Sequence, residues 1–244
     1  MAIGTPVQRY QARPTGQTTT TAFSPATTVP AGSKAILCVI GGSSKVASSV
    51  TDSVGNTWAV DATDTTTSQG KTFASCQVAT QITSGDTITV TWSVGSSSAI
   101  AVWLVSVTGL ATSSPFDQTA ANGASGTAAT VGPTGTLSQA DEIVFVCFRI
   151  SVVSTWAEGG ALQTITNSYD GTNASLFYEI VAATTAVTET ATAGSTGSWT
   201  ALIATYKGAA AGSAIKTIDS LAKASIKTIN GLAIASVKTR DGLA

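Results

Sequence analysis

The strongest constraint on the fold is a set of short apolar segments that occurs twice in the same order. Lys34–Ile40 (KAILCVI) in the first half matches Glu142–Ile150 (EIVFVCFRI) in the second, with a cysteine near the same place. Continuous apolar runs of this length, rich in β-branched residues, are typical of strands covered on both faces. No segment before residue 210 has a convincing helical period with caps. The sequence therefore predicts an all-β protein.

Three further pairs of strand-like segments continue the match between the halves: Phe73–Thr80 with Ser175–Ala182, Thr87–Ser93 with Ala186–Thr192, and Ala99–Thr108 with Ser198–Tyr206. Four strands alone make a poor core, so the two sets are predicted to form one eight-stranded sandwich of jelly-roll type. Two stacked sandwiches are the alternative.

These segments divide the chain into three predicted regions. Residues 1–33 form an N-terminal arm with one candidate edge strand, Pro6–Ala12. The predicted sandwich spans 34–209, with halves 34–112 and 136–209. The join between the halves, Ser113–Gly135, is rich in Ala, Gly, Ser and Thr and is interpreted as a connection. Residues 213–244 form a separate C-terminal segment.

That C-terminal segment contains a unit of about eleven residues, written nearly three times. The period suits a right-handed helical coil, but Asn230-Gly231 and Asp241-Gly242 are unfavourable within a helix and favour hairpins. We therefore expect β or extended structure completed by other chains, with a flexible tail as the plain alternative. So short a repeat cannot bury its own apolar side chains, which makes it a predicted assembly element. The predicted assembly residues are Ile215, Ile218, Leu221, Ile226, Ile229, Leu232, Ile234, Val237 and Leu243.

The composition indicates a surface that faces other protein. Of 244 residues, 43% are apolar and only 10% are charged, with a net charge of −1. A globular chain usually has about a quarter charged residues, so a solvated monomer would carry more charge. The near-neutral balance gives no electrostatic footprint for nucleic acid or an anionic membrane. The start of the chain has no apolar signal-peptide region, so synthesis in the cytosol is expected.

Catalysis is not expected, because the chain contains no histidine. This removes the commonest general base and the commonest transition-metal ligand, and we expect no cofactor and no metal. Asp141-Glu142 and Glu158 lie at strand starts or loops, where acidic residues usually solvate an end. The turn Asp52–Asn56 can hold a cation, but its residue types favour a structural turn.

The cysteines and two tryptophans leave alternatives open. The cysteines are interpreted as buried thiols, with cross-linking between subunits as the alternative because their count is odd. The three cysteines are Cys38, Cys76 and Cys147.

Trp58 follows a turn and Trp156 lies in a loop, so either can stack on a sugar, although packing is the commoner use of tryptophan in a sandwich.

Several motifs carry a resemblance to a known module. The succession VTDSVGNTW, VWLVSVTGL and SPFDQTA, followed by the Gly/Ser/Thr-rich join, resembles a recurring bacterial and phage β-sandwich module with a D-x-x-G-N-T-aromatic turn. The chain departs from that pattern at Val105 and Ser106, where such modules often carry an acidic residue. The C-terminal SIKTINGLAIASVKT resembles tails of predicted phage structural proteins.

The resemblance implies a phage virion structural protein. A capsid decoration or head-fibre subunit that assembles through its termini is the expected function. A tail-fibre or spike module that binds host glycan is the alternative. The expected partners are further copies of the chain, in a trimer by analogy with fibres, and other virion proteins such as the major capsid protein.

Overall fold

The computed structural model describes residues 2–13, 19–42, 44–65, 69–93, 99–166 and 173–210, together with the backbone of 228–229 and 232–233. The chain divides into two compact units, Met1–Ala210 and Ala211–Ala244. The all-β prediction is confirmed, because the regular structure of the described residues consists of strands in antiparallel sheets. Among these residues, no helix is long and apolar enough to cross a membrane.

The strands of the first unit are β1 (Val7–Ala12), β2 (Thr20–Phe23), β3 (Lys34–Gly42), β4 (Ala47–Asp52), β5 (Trp58–Asp64), β6 (Gln69–Gln77), β7 (Ile88–Trp92), β8 (Ala99–Val107), β9 (Phe116–Val131), β10 (Glu142–Ile150), β11 (Trp156–Glu158), β12 (Gln163–Thr166), β13 (Ala174–Val181) and β14 (Glu189–Lys207).

Strands β1 to β8 form a first sandwich of two sheets. Its larger sheet has the order β1-β8-β3-β6-β5, and its smaller sheet has the order β2-β7-β4. One face of β3, with Leu37 and Val39, packs with Phe23, Ile88 and other buried residues of the small sheet. The candidate strand at the N-terminus is observed as β1, an edge strand paired with β8.

Strands β9 to β14 form a second sandwich of the same plan. Its larger sheet contains β9, β14, β10, β13 and β12 in that order, which matches the order of the first large sheet. Strand β14 pairs with β9 on both sides of a break between Thr192 and Gly197. Before that break, β14 also pairs with β11, so the two long strands contribute to both layers of the second sandwich.

The two sandwiches pack together through their large sheets. Ile36, Cys38 and Trp103 of the first sandwich belong to the same buried cluster as Phe145 and Tyr206 of the second. Each large sheet is therefore covered on both faces, which is the physical reason for the continuous apolar runs in β3 and β10. All three cysteines are free and buried, as the favoured interpretation predicts.

This arrangement corrects two predictions. The halves do not combine four strands each into one eight-stranded sandwich. The first half covers its large sheet with a separate three-stranded sheet, and in the second half β11 and the first part of β14 pack with β10 in a core of their own. The described strands have instead the alternative arrangement, two stacked sandwiches. The segment interpreted as a connection, Ser113–Gly135, contains β9, a strand of 16 residues. Pairing with β14 overrides the weak β propensity of its Ala, Gly and Ser residues.

The second unit has one described feature. Thr228–Ile229 (β15) and Leu232–Ala233 (β16) form a two-stranded antiparallel sheet. Ile229 is the direct partner of Leu232, and Thr228 is the partner of Ala233. The other predicted assembly residues lie outside the described residues: Ile215, Ile218, Leu221, Ile226, Ile234, Val237 and Leu243.

Candidate functional site

The turn from Asp52 to Trp58 is the motif that the sequence analysis singled out as a candidate site. It connects the end of β4 to the start of β5 in the first sandwich. Asp52 Oδ1 accepts hydrogen bonds from the backbone amides of Val54, at 3.1 Å, and Asn56, at 3.0 Å. Gly55 has φ = +82°, a left-handed conformation that glycine adopts without steric cost. The local sequence therefore builds the turn around the carboxylate.

Asn56 attaches this turn to the connection between β6 and β7. Its Oδ1 accepts hydrogen bonds from the amides of Ala79 and Thr80, both at 2.9 Å. Its Nδ2 donates to the carbonyl oxygen of Thr80 at 2.9 Å and to Asp52 Oδ2 at 3.1 Å. One side chain thus satisfies backbone groups of a second loop, which explains an asparagine at this point of the motif.

Trp58 completes the same network. Its Nε1 donates to Asp52 Oδ2 at 2.8 Å, and its partly buried ring packs against the core of the first sandwich. The carboxylate of Asp52 therefore accepts four hydrogen bonds from three residues of the turn. These four hydrogen bonds stabilise the negative charge of the Asp52 carboxylate without a bound cation. The geometry therefore favours a structural turn over a cation site. Within the described residues, no group of three or more Cys, Asp and Glu side chains is arranged to hold a metal ion.

Trp156, the second candidate for sugar stacking, is buried in the second sandwich. It is 1% exposed, lies 5.3 Å from Phe148 between ring centroids, and donates from Nε1 to the carbonyl oxygen of Asn173 at 3.2 Å. No face of this ring is open to a ligand, which corrects the stacking interpretation for Trp156. Trp58 is the one of the two that keeps partial exposure.

An exchange of size between the two sandwiches explains this burial. In the first sandwich, Ala47 of β4 is the cross-strand partner of Trp92 of β7. In the second, Trp156 of β11 is the partner of Ala193 of β14. In the first sandwich the tryptophan of the pair lies on β7, and in the second it lies on β11, the strand that corresponds to β4. In both sandwiches the pair supplies one indole to the core.

Polar side chains are also buried between the two sandwiches, and the sequence analysis did not predict them. Lys71 and Asp64 form an ion pair of 2.7 Å whose side chains are 0% and 1% exposed. They are direct partners in the pairing of β5 with β6. Arg149 of the second sandwich donates to Gln69 Oε1 of the first. The signal in the sequence was faint, because lysine and aspartate at strand ends are usually solvated.

Two buried glutamates have the most perturbed acidity among the described Asp and Glu side chains. Burial, reinforced by the charge of nearby Asp117, raises the pKa of Glu142 to about 7. Burial and the neighbouring Glu179 raise the pKa of Glu189 to about 8. Glu142 is 0% exposed and Glu189 is 4% exposed, so both lie within the fold. The expectation that Glu142 solvates a strand end is therefore wrong, whereas exposed Glu158 accepts a hydrogen bond from Thr164.

Comparison with known proteins adds no relative to this geometry. No family model matches the chain, and no curated protein or solved structure matches it.

Proposed function

We propose that this chain is a non-catalytic structural protein of a phage virion, a capsid decoration or head-fibre subunit that attaches through its C-terminal repeat. The main support is the division of the chain after Ala210 into two compact units. The first unit is a double sandwich that contains three hydrophobic cores, and the second contains the repeat. The virion context rests on the resemblance of the turn motif and of the C-terminal repeat.

The polar groups of the double sandwich support a structural role. The carboxylate of Asp52 is engaged by its own turn, and the Lys71–Asp64 pair is enclosed between the sandwiches. The first residues of the chain are also part of the fold, because the amide of Gly4 donates to the carbonyl oxygen of Thr108 at 3.0 Å and Ile3 packs against the central core. The C-terminal repeat thus becomes the principal attachment element of the proposal.

The backbone pairing inside the repeat supports this assignment. Ile229 and Leu232 are direct partners, which places two apolar positions of the repeat side by side in the sequence-predicted hairpin. A two-stranded hairpin alone is marginally stable in water, so a further surface is needed to stabilise it. In the proposal, other virion proteins or further copies of the chain supply that surface.

Co-sedimentation with particles built from the major capsid protein tests the proposal. The full chain is compared with a chain that ends at Gly212 and with the double variant Ile229→Asp, Leu232→Asp. A matched control, Lys227→Asp, adds an acidic residue at a polar position of the same repeat. Binding by the full chain and the control, with at least about tenfold weaker binding by the other two, supports attachment through the repeat. Equal binding by all four proteins contradicts it.

Glycan binding by a tail-fibre or spike module is the second candidate, and the partial exposure of Trp58 is the observation that favours it. Asp52 holds the indole in one orientation, and an ordered aromatic ring is a suitable surface for stacking on a sugar. Titration with host glycans should then quench tryptophan fluorescence in the parent chain and not in Trp58→Ala. Trp58→Phe, which keeps a ring, should retain binding. Absence of quenching in the parent chain removes this candidate.

A further inference from the structure

Strand β9 forms a long open edge of the second sandwich. It pairs with β14, and among the described strands it has no partner on its other side. From Thr119 to Ser125 it remains in unbroken register with Ala204 to Ser198 of β14. An extended strand of this kind presents backbone N–H and C=O groups in a row that another strand can pair with.

Four other described edge strands carry features that disfavour such pairing. Strand β1 has a register shift between Gln8 and Tyr10 and carries the charge of Arg9. Strand β5 has a shift between Val60 and Ala62. Strands β11 and β12 contain three and four residues. Bulges, charges and short length are the common means by which native sheets avoid association, and β9 has no register shift and no charged side chain between Thr119 and Ser125.

The side chains of this stretch suit contact with an identical strand. The five residues from Ala121 to Ser125 (ANGAS) are all exposed, small and uncharged. No charged side chain occurs from Gln118 to Val131, and the whole chain has a net charge of only −1. Two copies can therefore bring their β9 edges together without like-charge repulsion, and glycine and alanine allow close approach of the two backbones.

The hydrogen bonds around Asn122 identify which residues face the open edge. The amide of Gly123 donates to Asn122 Oδ1 at 2.8 Å instead of to a carbonyl of β14. Asn122 Nδ2 donates in turn to the carbonyl oxygen of Thr130 at 2.9 Å. Backbone groups alternate in direction along an antiparallel strand, so the groups of Ala121 and Ser125 point outward with those of Gly123.

We propose that the β9 edge pairs in antiparallel orientation with the β9 edge of a second copy, about a twofold axis at Gly123, whose amide exchanges Asn122 Oδ1 for a carbonyl oxygen of the second copy. Ala121 of one copy then lies opposite Ser125 of the other, and Asn122 lies opposite Ala124. The two large sheets continue into one sheet across the dimer. A twofold contact of this kind is isologous, because each copy contributes the same surface. This surface lies in the double sandwich and is distinct from the C-terminal repeat of the proposed function.

Cysteine cross-linking in the full chain tests the register. Ala121→Cys and Ser125→Cys place an exposed thiol on β9, whereas the native cysteines are buried. Oxidised glutathione converts two facing thiols to a disulfide and is itself reduced to two molecules of glutathione. We expect a mixture of the two variants to form at least about fivefold more disulfide-linked dimer than either variant alone, since only the mixture places position 121 opposite 125. Equal yields in all three samples overturn the proposed pairing.

A charge test provides a second measurement. The double variant Ala121→Lys, Ser125→Lys places lysines directly opposite each other and should weaken dimerisation at least about tenfold, as measured by sedimentation. Ala59→Lys, Thr63→Lys makes the same change at exposed positions of β5 and should leave the dimer unchanged. A dimer unaffected by both variants, or a monomeric parent chain, contradicts the proposal. Repetition with the chain ending at Gly212 separates the two interfaces, because cross-linking at β9 should persist there while particle binding is lost.

Discussion

The hydroxyl of Tyr206 donates a hydrogen bond of 2.9 Å to Asp61 Oδ2, and this bond joins the two sandwiches across their shared core. Tyr206 is fully buried on β14, and Asp61 belongs to β5 of the first sandwich. Burial raises the pKa of Asp61, while hydrogen bonds from Ser75 and Tyr206 lower it. The contact between the sandwiches thus combines a shared apolar core with particular polar groups.

Removal of this hydroxyl should destabilise the double sandwich. Tyr206→Phe keeps the ring and leaves Asp61 without one donor, so we expect the free energy of unfolding in urea to fall by about 1.5–3 kcal/mol, the range for a hydrogen bond to a charged group. Tyr178→Phe is the matched control, because the hydroxyl of Tyr178 donates to the neutral Gln163 at 2.6 Å. Its expected loss is about 0.5–1.5 kcal/mol. A larger loss for the control would contradict the assigned role of Asp61.

Replacement of Asp52 should weaken the turn that carries the D-x-x-G-N-T-aromatic motif. Asp52→Asn removes the charge that accepts four hydrogen bonds, and its amide group can accept at one atom only. We expect a loss of about 2–4 kcal/mol in the free energy of unfolding, with a red shift of tryptophan emission as Trp58 is released. Asp141→Asn, at an exposed residue, should change stability by less than about 0.5 kcal/mol.

Gly55 should be intolerant of a side chain for a conformational reason alone. Its φ is +82°, and a Cβ built there would meet no atom within 4 Å. Gly55→Ala is therefore expected to cost about 1 kcal/mol through the left-handed conformation. Gly85→Ala is the control, since Gly85 has no positive φ and a Cβ there would lie 3.7 Å from Thr83 Oγ1. Equal stability of the two variants in thermal unfolding would contradict the role given to Gly55.

Stability should fall as pH rises from acid to neutral. The pKa of Glu142 rises from an ordinary value of 4.5 to about 7, and that of Glu189 to about 8. Between 4.5 and these values the folded chain binds more protons than the unfolded chain, so their stabilising effect is complete below about pH 4.5 and is lost as pH rises through 7 and 8. Each group contributes a slope of at most about 1.4 kcal/mol per pH unit. Glu142→Gln should reduce the slope between pH 4.5 and about 7, and Glu189→Gln should reduce it over the same range and also between about 7 and 8. An unchanged profile in both variants would refute this origin.

The sequence predicts the strands of this fold better than their assembly. Strands β3 and β10 were legible because their apolar runs are buried on both faces. The composition of β9 indicates a connection, because its Ala, Gly and Ser residues have little β propensity and only the partner β14 makes them extended. The sequence favours a single sandwich for the same reason. Without β9 and the bend in β14, the second half has too few strands to cover its own large sheet.

The candidate site was predicted in part. The spacing of Asp52, Gly55 and Asn56 indicated a structural turn, but the attachment of Asn56 to Ala79 and Thr80 depends on a loop distant in sequence. The sequence places Trp156 in a loop, because the exchange of tryptophan and alanine between the sandwiches has no local signal. The buried pair of Lys71 and Asp64 was missed, since only the packing of one sandwich on the other makes those strand ends interior.

The central claim, that the C-terminal repeat holds the chain in its assembly, is tested most directly by mass. Sedimentation equilibrium of the full chain and of the chain ending at Gly212 should be measured at the same concentrations. We expect the full chain to form an oligomer larger than a dimer, and the shortened chain to be at most a dimer paired through β9. Equal masses for the two chains, with both still bound to virus particles, would contradict it.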